Sequence, residues 1–137
     1  MPDERLIWLH GRGVGDVPAL LAQADILAWP GHDEAYGISY LDAQAVGLPV
    51  VALDSGGVGE TVIDGETALL VPGLDHRAYA NALARLIGDA ALREKMGAAA
   101  HRFVAEGRTL GGAANILGDA LDRVSAKTRP APQARAS

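Results

Sequence analysis

Four short apolar runs, each followed by a loop that contains glycine, constrain the fold of this chain more than any other feature. The runs cover residues 6–9, 26–29, 50–53 and 68–71. Runs of this length, rich in Val, Ile and Leu, are typical of strands that are buried on both faces of a parallel sheet. Helical patterns separate the first three runs. The alternation predicts an α/β fold, with a parallel Rossmann-like sheet of about four strands and helices on both faces.

After the last run the pattern becomes helical. Asp75 and Asp89 stand where N-caps belong, and the last helix, predicted over residues 110–125, repeats its apolar residues at alternating spacings of four and three. Such a narrow apolar row suits docking on another surface. Residues 126–137 are rich in Pro and Ala and predict a disordered basic tail. We therefore expect one folded domain over residues 1–125.

Composition excludes several classes of function. The formal net charge is -5, and no Lys/Arg cluster lies in the folded part, so a nucleic-acid partner is not expected. The chain has no cysteine, and its four histidines share no metal-ligand spacing, so neither a disulfide nor a metal site is predicted. No cofactor is expected either. Without a signal peptide or a long apolar span, the chain is expected to be a soluble cytoplasmic protein.

Residues 30–47 contain the strongest candidates for a ligand-binding site. A buried strand turns at Pro30 and Gly31 into a polar loop, which then enters a helix. The first backbone N–H groups of a helix have no partner within it, and the helix dipole is positive there, so this end favours phosphate. Glu34 lies in the loop just before the helix. Asp42 is expected to border the apolar stripe next to Ile38, where ligand hydroxyls could partner its charge.

A second loop, over residues 54–60, follows the third run and contains three glycines. Open α/β sheets bind their ligands at this end of their strands, so the loop is expected to border the same cleft.

Two ordered sets of residues resemble a known family. The first set is Pro30, Glu34, Tyr36, Gly37, Leu41, Asp42, Ala43, Ala45, Gly47, Pro49, Val50, Val51 and Ala52. The second is Asp54, Gly56, Gly57, Glu60, Asp64, Gly65 and residues 68–71. In order and spacing both sets are similar to the retaining, nucleotide-sugar-dependent glycosyltransferases of family 4, or glycosyltransferase group 1. The resemblance covers roughly residues 6 to 124.

The resemblance implies the GT-B architecture, in which two Rossmann-like lobes face each other and the C-terminal lobe holds the sugar nucleotide. The chain would be an incomplete C-terminal lobe of an enzyme of the hexosyltransferase type. By this resemblance Glu34 is the catalytic acid that contacts the donor sugar hydroxyls, and Asp42 occupies the position that binds the ribose. The diphosphate would lie against Tyr36, Gly37 and Ile38. The cleft would be lined by Gly56 and Gly57.

Three departures from the family pattern matter. Asp42 replaces the usual Glu and is shorter by one methylene, so its contact with the ribose would be looser or bridged by water. Gln44 stands where the family usually has Met. The basic pair that neutralises the donor phosphates and the whole acceptor lobe lie upstream in relatives, and Arg12 is the only nearby cation that the sequence offers. We expect weak donor binding and no efficient transfer by this polypeptide alone.

Two other classes of function stay open. The chain could be a non-catalytic module that binds a nucleotide sugar or another subunit, with the last helix as the contact of a homo-oligomer. It could also be an unrelated Rossmann-like protein, although the G-x-G-x-x-G pattern is absent. At single positions, Glu34 could be a solvated loop acid, Asp42 an ion-paired helix acid, and the glycine pair a tight turn. Trp8 and Trp29 are expected in the core.

Overall fold

The computed structural model describes residues 3–10 and 13–128. Three parallel strands form the sheet in the order β1-β2-β3. They are β1 (Leu27–Trp29), β2 (Val50–Asp54) and β3 (Ala68–Pro72). The central strand β2 is buried along most of its length, as the apolar run over residues 50–53 predicted.

Five α-helices and two short 3₁₀ helices are present in the described part of the chain. The α-helices are α1 (Val17–Leu21), α2 (Ile38–Ala45), α3 (His76–Gly88), α4 (Ala90–Gly107) and α5 (Leu110–Thr128). The 3₁₀ helices are Val14–Asp16 and Val58–Glu60. Both predicted N-caps are confirmed, because the Asp75 carboxylate accepts from Arg77 N and Ala78 N, and the Asp89 carboxylate accepts from Leu92 N. No helix in residues 3–10 and 13–128 is long and apolar enough to cross a membrane.

Helices cover both faces of the sheet, as predicted. Successive residues of β2 point to opposite faces: Val50 packs with Tyr40 of α2, whereas Val51 packs with Leu86 of α3 and Met96 of α4. The α/β architecture with a parallel sheet and two helical layers is therefore confirmed.

The predicted strand over residues 6–9 is wrong. These residues pair with no strand in the described part of the chain, and Leu6, Ile7, Trp8 and Leu9 are 53% to 83% exposed. Composition indicates that a segment can form a strand, but the strand forms only where a neighbouring strand can pair with it. In doubly wound sheets consecutive strands are not always adjacent, because the strand order reverses at a switch point. In the described part of the chain the sheet therefore has three strands rather than about four.

Two further expectations also change. The tryptophans are not in the core, because Trp8 is 72% and Trp29 48% exposed.

The last helix reaches Thr128, three residues beyond its predicted end, and its predicted apolar row is exposed at Leu117 and Leu121. Residues 129–137 of the predicted tail and Arg12 lie outside the described residues.

Candidate functional site

Two loops meet by their backbones at the carboxyl end of the sheet. Gly57 N donates to Glu34 O over 3.0 Å, which joins the loop after β2 to the loop after β1. A Cβ at Gly56 would lie 2.1 Å from Glu34 O, and one at Gly57 would lie 2.3 Å from Ala35 O. Any side chain at these positions would force the loops apart. The glycine pair is therefore more than a tight turn, because it allows the acid's loop to approach this closely.

Among the residues that the structure describes, no side chain caps the amino end of α2. Its N-cap is Gly37, which has the left-handed φ of +86° and makes no side-chain hydrogen bond. A Cβ at Gly37 would lie 2.3 Å from the ring of Tyr40, so glycine is required there by space as well as by conformation. Ile38 and Ser39 follow at an exposed surface. Ile38 and Ser39, the first two residues of α2, are therefore exposed where an anion could approach their amides, whereas Tyr40 N donates to Gly37 O.

Glu34 is half-buried, and its Cγ lies 3.4 Å from the Cβ position of Gly37 at this helix end. Its Oε2 accepts a hydrogen bond of 3.4 Å from Nε1 of Trp29. Burial raises the pKa of Tyr40 to about 12, and the nearby Glu34 carboxylate adds to the effect. The preceding residue, Asp33, has a φ of +55°, which few residues other than glycine adopt. Strained backbone of this kind concentrates at functional sites.

Asp42 lies elsewhere on α2. The buried side of the helix consists of Tyr40, Ala43 and Gln44, whereas Ile38 and Asp42 are exposed. The expectation that Asp42 borders the apolar stripe is wrong, because Ile38 does not belong to the core. Asp42 makes no ion pair with any residue that the structure describes, so the ion-paired alternative is also unsupported. The structure brings Glu34, Gly37 and the glycine pair together, and no contact joins Asp42 to them.

Two side chains with no role predicted from the sequence hold the 3₁₀ helix Val58–Glu60 and the residue after it. Gln44 Nε2 donates to Thr61 O over 2.7 Å, and Arg108 Nη2 donates to Glu60 O over 2.6 Å. Gln44 is fully buried, and its Oε1 has no hydrogen-bond partner within the described chain. Gln44 stands where the family it resembles usually has Met, and this substitution was a sequence signal for the contact between Gln44 and Thr61. Arg108 had no such signal, because its partner lies 48 residues away.

Two hollows flank the site. A cavity of about 160 Å³ lies between α2 and α5, and another of about 240 Å³ opens at the carboxyl end of β2. The first is lined by Tyr36, Leu41, Gly107, Arg108, Thr109, Ala113 and Ile116. The second is lined by Pro30, Leu53, Leu74, Asp75, His76 and Tyr79. Neither Glu34 nor Asp42 lines either hollow, and Arg108 supplies a cation near Tyr36.

Sequence comparison gives two concordant results. A family model described as glycosyl transferases group 1 matches residues 2–103. The D-inositol 3-phosphate glycosyltransferase of Corynebacterium efficiens is 41% identical over 95 residues, which are 69% of this chain and 22% of that protein. The chain thus spans about a fifth of the length of this relative.

Solved structures agree with this result. The sucrose-phosphate synthase of Thermosynechococcus elongatus superposes with a TM-score of 0.71 at 31% identity, covering 80% of this chain and 27% of that one. HepE of Anabaena, solved in complex with UDP and glucose, superposes with a TM-score of 0.63 at 27% identity, covering 66% of this chain and 25% of that one.

Proposed function

Because this chain belongs to the glycosyl transferases group 1 family, we propose that it is part of a retaining glycosyltransferase of the hexosyltransferase type. The whole enzyme would bind a nucleoside diphosphate sugar and transfer its glycosyl group to an acceptor. One observation carries the proposal: the Glu34 side chain lies beside the amino end of α2, with its Cγ 3.4 Å from the Cβ position of Gly37, in a loop that Gly57 holds by a hydrogen bond. The solved complex of HepE with UDP and glucose supports the choice of donor class.

Each part of the donor has a proposed partner. The diphosphate would lie against the amides of Gly37 and Ile38, next to Tyr36. These amides would stabilise the negative charge that develops as the nucleoside diphosphate departs. Glu34 would accept hydrogen bonds from the hydroxyls of the donor sugar, and charged acceptors make the stronger hydrogen bonds.

The remaining predicted contacts are weaker. Asp42 would meet the ribose loosely or through water, in keeping with its exposed position on α2. The glycine pair would act by placing Glu34, because both glycines pack against the backbone of that loop.

The partners follow from the same family assignment. We propose that an acceptor lobe, supplied by further polypeptide or by another subunit, faces this site and contributes basic groups toward the phosphates. The Corynebacterium efficiens protein supports this proposal, because the match covers only 22% of it and the rest is further polypeptide. The exposed apolar row of α5 is a candidate contact for that lobe or for a second copy of the chain. A cytoplasmic location is proposed from the cysteine-free composition.

Calorimetric titration tests the proposal. The 137-residue chain is titrated with UDP-glucose, UDP, GDP and ADP, after circular dichroism has shown that it is folded. We expect weak binding of at least one nucleoside diphosphate and, where that nucleotide is UDP, of UDP-glucose as well. A folded chain that releases no heat with any of the four would contradict the donor site and favour the subunit-interaction module.

A further inference from the structure

The side chain of Trp29 lies against the acid of the proposed site. Trp29 is the last residue of β1, and its indole Nε1 donates to Oε2 of Glu34 over 3.4 Å. Its backbone is also fixed, because the hydroxyl of the buried Tyr40 donates to Trp29 O over 3.3 Å. The indole therefore projects from an anchored backbone, although 48% of the residue remains exposed.

Gly31 makes room for this contact. A Cβ built at Gly31 would lie 2.6 Å from Trp29 Nε1 and 3.1 Å from Glu34 Oε2. A side chain at position 31 would therefore push against both the donor and the acceptor. The tight turn after β1 lets the indole and the carboxylate lie together.

The indole is the donor that holds the Glu34 side chain. Among the residues that the structure describes, no other group donates a hydrogen bond to this carboxylate. The indole has one N–H, so it occupies Oε2 and leaves Oε1 available. A carboxylate fixed at one oxygen meets a ligand hydroxyl with less loss of side-chain freedom.

We infer that Trp29 is a positioning residue for Glu34, which it orients toward the donor sugar through its indole N–H. This inference rests on the proposed function of Glu34. Trp29 would act through the acid and would have no role in holding the nucleotide. Loss of the indole N–H should therefore affect ligands that carry a sugar and leave the bare nucleotide unaffected.

The first test needs no ligand. The chain has two tryptophans, which give two indole N–H signals in a nitrogen-15 correlation spectrum. Trp29→Phe assigns the signal of Trp29, and Trp8 is the internal control because it is 72% exposed. We expect Glu34→Ala and Gly31→Ala to move the Trp29 signal and to leave the Trp8 signal in place. An unmoved Trp29 signal in Glu34→Ala would overturn the contact, whatever the chain binds.

The second test compares affinities. Trp29→Phe keeps an aromatic ring without the donor, and we expect it to weaken UDP-glucose binding about three- to tenfold, the range for loss of one hydrogen bond, with UDP binding unchanged. The matched control Trp8→Phe should change neither affinity. In the Glu34→Ala background, Trp29→Phe should have no further effect, because both substitutions remove the same interaction.

Additive losses, or equal losses for UDP and UDP-glucose, would overturn the positioning role. Failure of the unsubstituted chain to bind UDP-glucose, UDP, GDP or ADP would contradict the proposed function, and with it the role of Trp29 toward a sugar. The spectroscopic test would still decide whether the indole holds the acid.

Discussion

Gly57 donates its backbone N–H to the carbonyl oxygen of Glu34 over 3.0 Å, and a Cβ on Gly57 would lie 2.3 Å from the next carbonyl oxygen, that of Ala35. Through this contact the loop after β2 determines where the acid of the loop after β1 lies. The contact explains why two glycines follow a buried strand here. It also links the stability of the loops to the geometry of the proposed donor site.

Gly57→Ala should therefore destabilise the chain. Gly57 has a φ of -89°, which alanine adopts freely, so the expected cost comes from the added Cβ, 2.3 Å from Ala35 O. We expect the free energy of unfolding to fall by about 1–3 kcal/mol, as for other overpacked sites. Gly59→Ala is the matched control, because nothing lies within 4 Å of its Cβ position. Urea unfolding measures both variants, and equal stability of the two would contradict the close approach.

Gln44→Glu should destabilise the chain most at neutral pH. The Gln44 amide donates to Tyr40 O and Thr61 O in a fully buried position, and a carboxylate there would face two carbonyl oxygens. An uncompensated buried charge costs about 3–5 kcal/mol. Burial would raise the folded-state pKa of the introduced carboxyl group. The stability of Gln44→Glu relative to the unsubstituted chain should therefore be greatest at low pH and fall as the pH rises.

Gln23→Glu is the control for that substitution. Gln23 donates a similar hydrogen bond to Ala19 O but is exposed. The stability of the Gln23→Glu variant should therefore change little between pH 5 and pH 7.5. Urea unfolding at the two pH values provides the measurement. If Gln44→Glu loses no more stability than Gln23→Glu at pH 7.5, the buried contact to Thr61 is not as described.

Arg108→Met should loosen the 3₁₀ helix Val58–Glu60. Arg108 donates to Glu60 O over 2.6 Å, and its guanidinium lies 5.1 Å from the centroid of the Phe103 ring. Because the site is exposed, we expect a loss of about 0.5–1.5 kcal/mol, the usual net value of one hydrogen bond. Arg102→Met, at an exposed position of α4, is the control. Thermal unfolding that shifts equally in both variants would argue against the contact.

Two tyrosines should make the fold sensitive to alkaline pH. Burial raises the pKa of Tyr40 and that of Tyr79 from 10.0 to about 12. Folding therefore favours the protonated phenols. The stabilisation is fully present below pH 10 and is lost as the pH rises toward 12. We expect Tyr40→Phe and Tyr79→Phe each to flatten the decline of unfolding free energy above pH 10, and an unchanged decline in both would contradict this account.

The local parts of the fold were predictable from sequence. Residues 26–29, 50–53 and 68–71 are apolar runs bounded by turn residues, and all three contain strands of the sheet. The caps at Asp75 and Asp89 depend on contacts with the next three residues, so a short window contains the information. Glu34 and Gly37, the N-cap of α2, are also close in sequence, so a short window contains the information that places the acid at this helix end.

Features that depend on distant partners were not predictable. Residues 6–9 have strand composition but no neighbouring strand in the described chain. The sequence pattern places Ile38 at the buried side of α2, but Tyr40 and Gln44 occupy that side. The Gln44 side-chain N–H group donates there to Thr61 O, 17 residues along the chain, whereas its Oε1 has no hydrogen-bond partner in the described chain. Trp29 was expected in the core, yet its indole is directed to Glu34 at the surface.

The most direct measurement of the central claim is the calorimetric affinity of Glu34→Ala for UDP-glucose and for UDP. A charged hydrogen bond contributes about 1.5–3 kcal/mol, so we expect a loss of about ten- to a hundredfold for UDP-glucose and less than about twofold for UDP. Glu94→Ala, at an exposed position on α4, should change neither affinity. Equal losses for UDP and UDP-glucose in Glu34→Ala would contradict the assignment of Glu34 to the donor sugar.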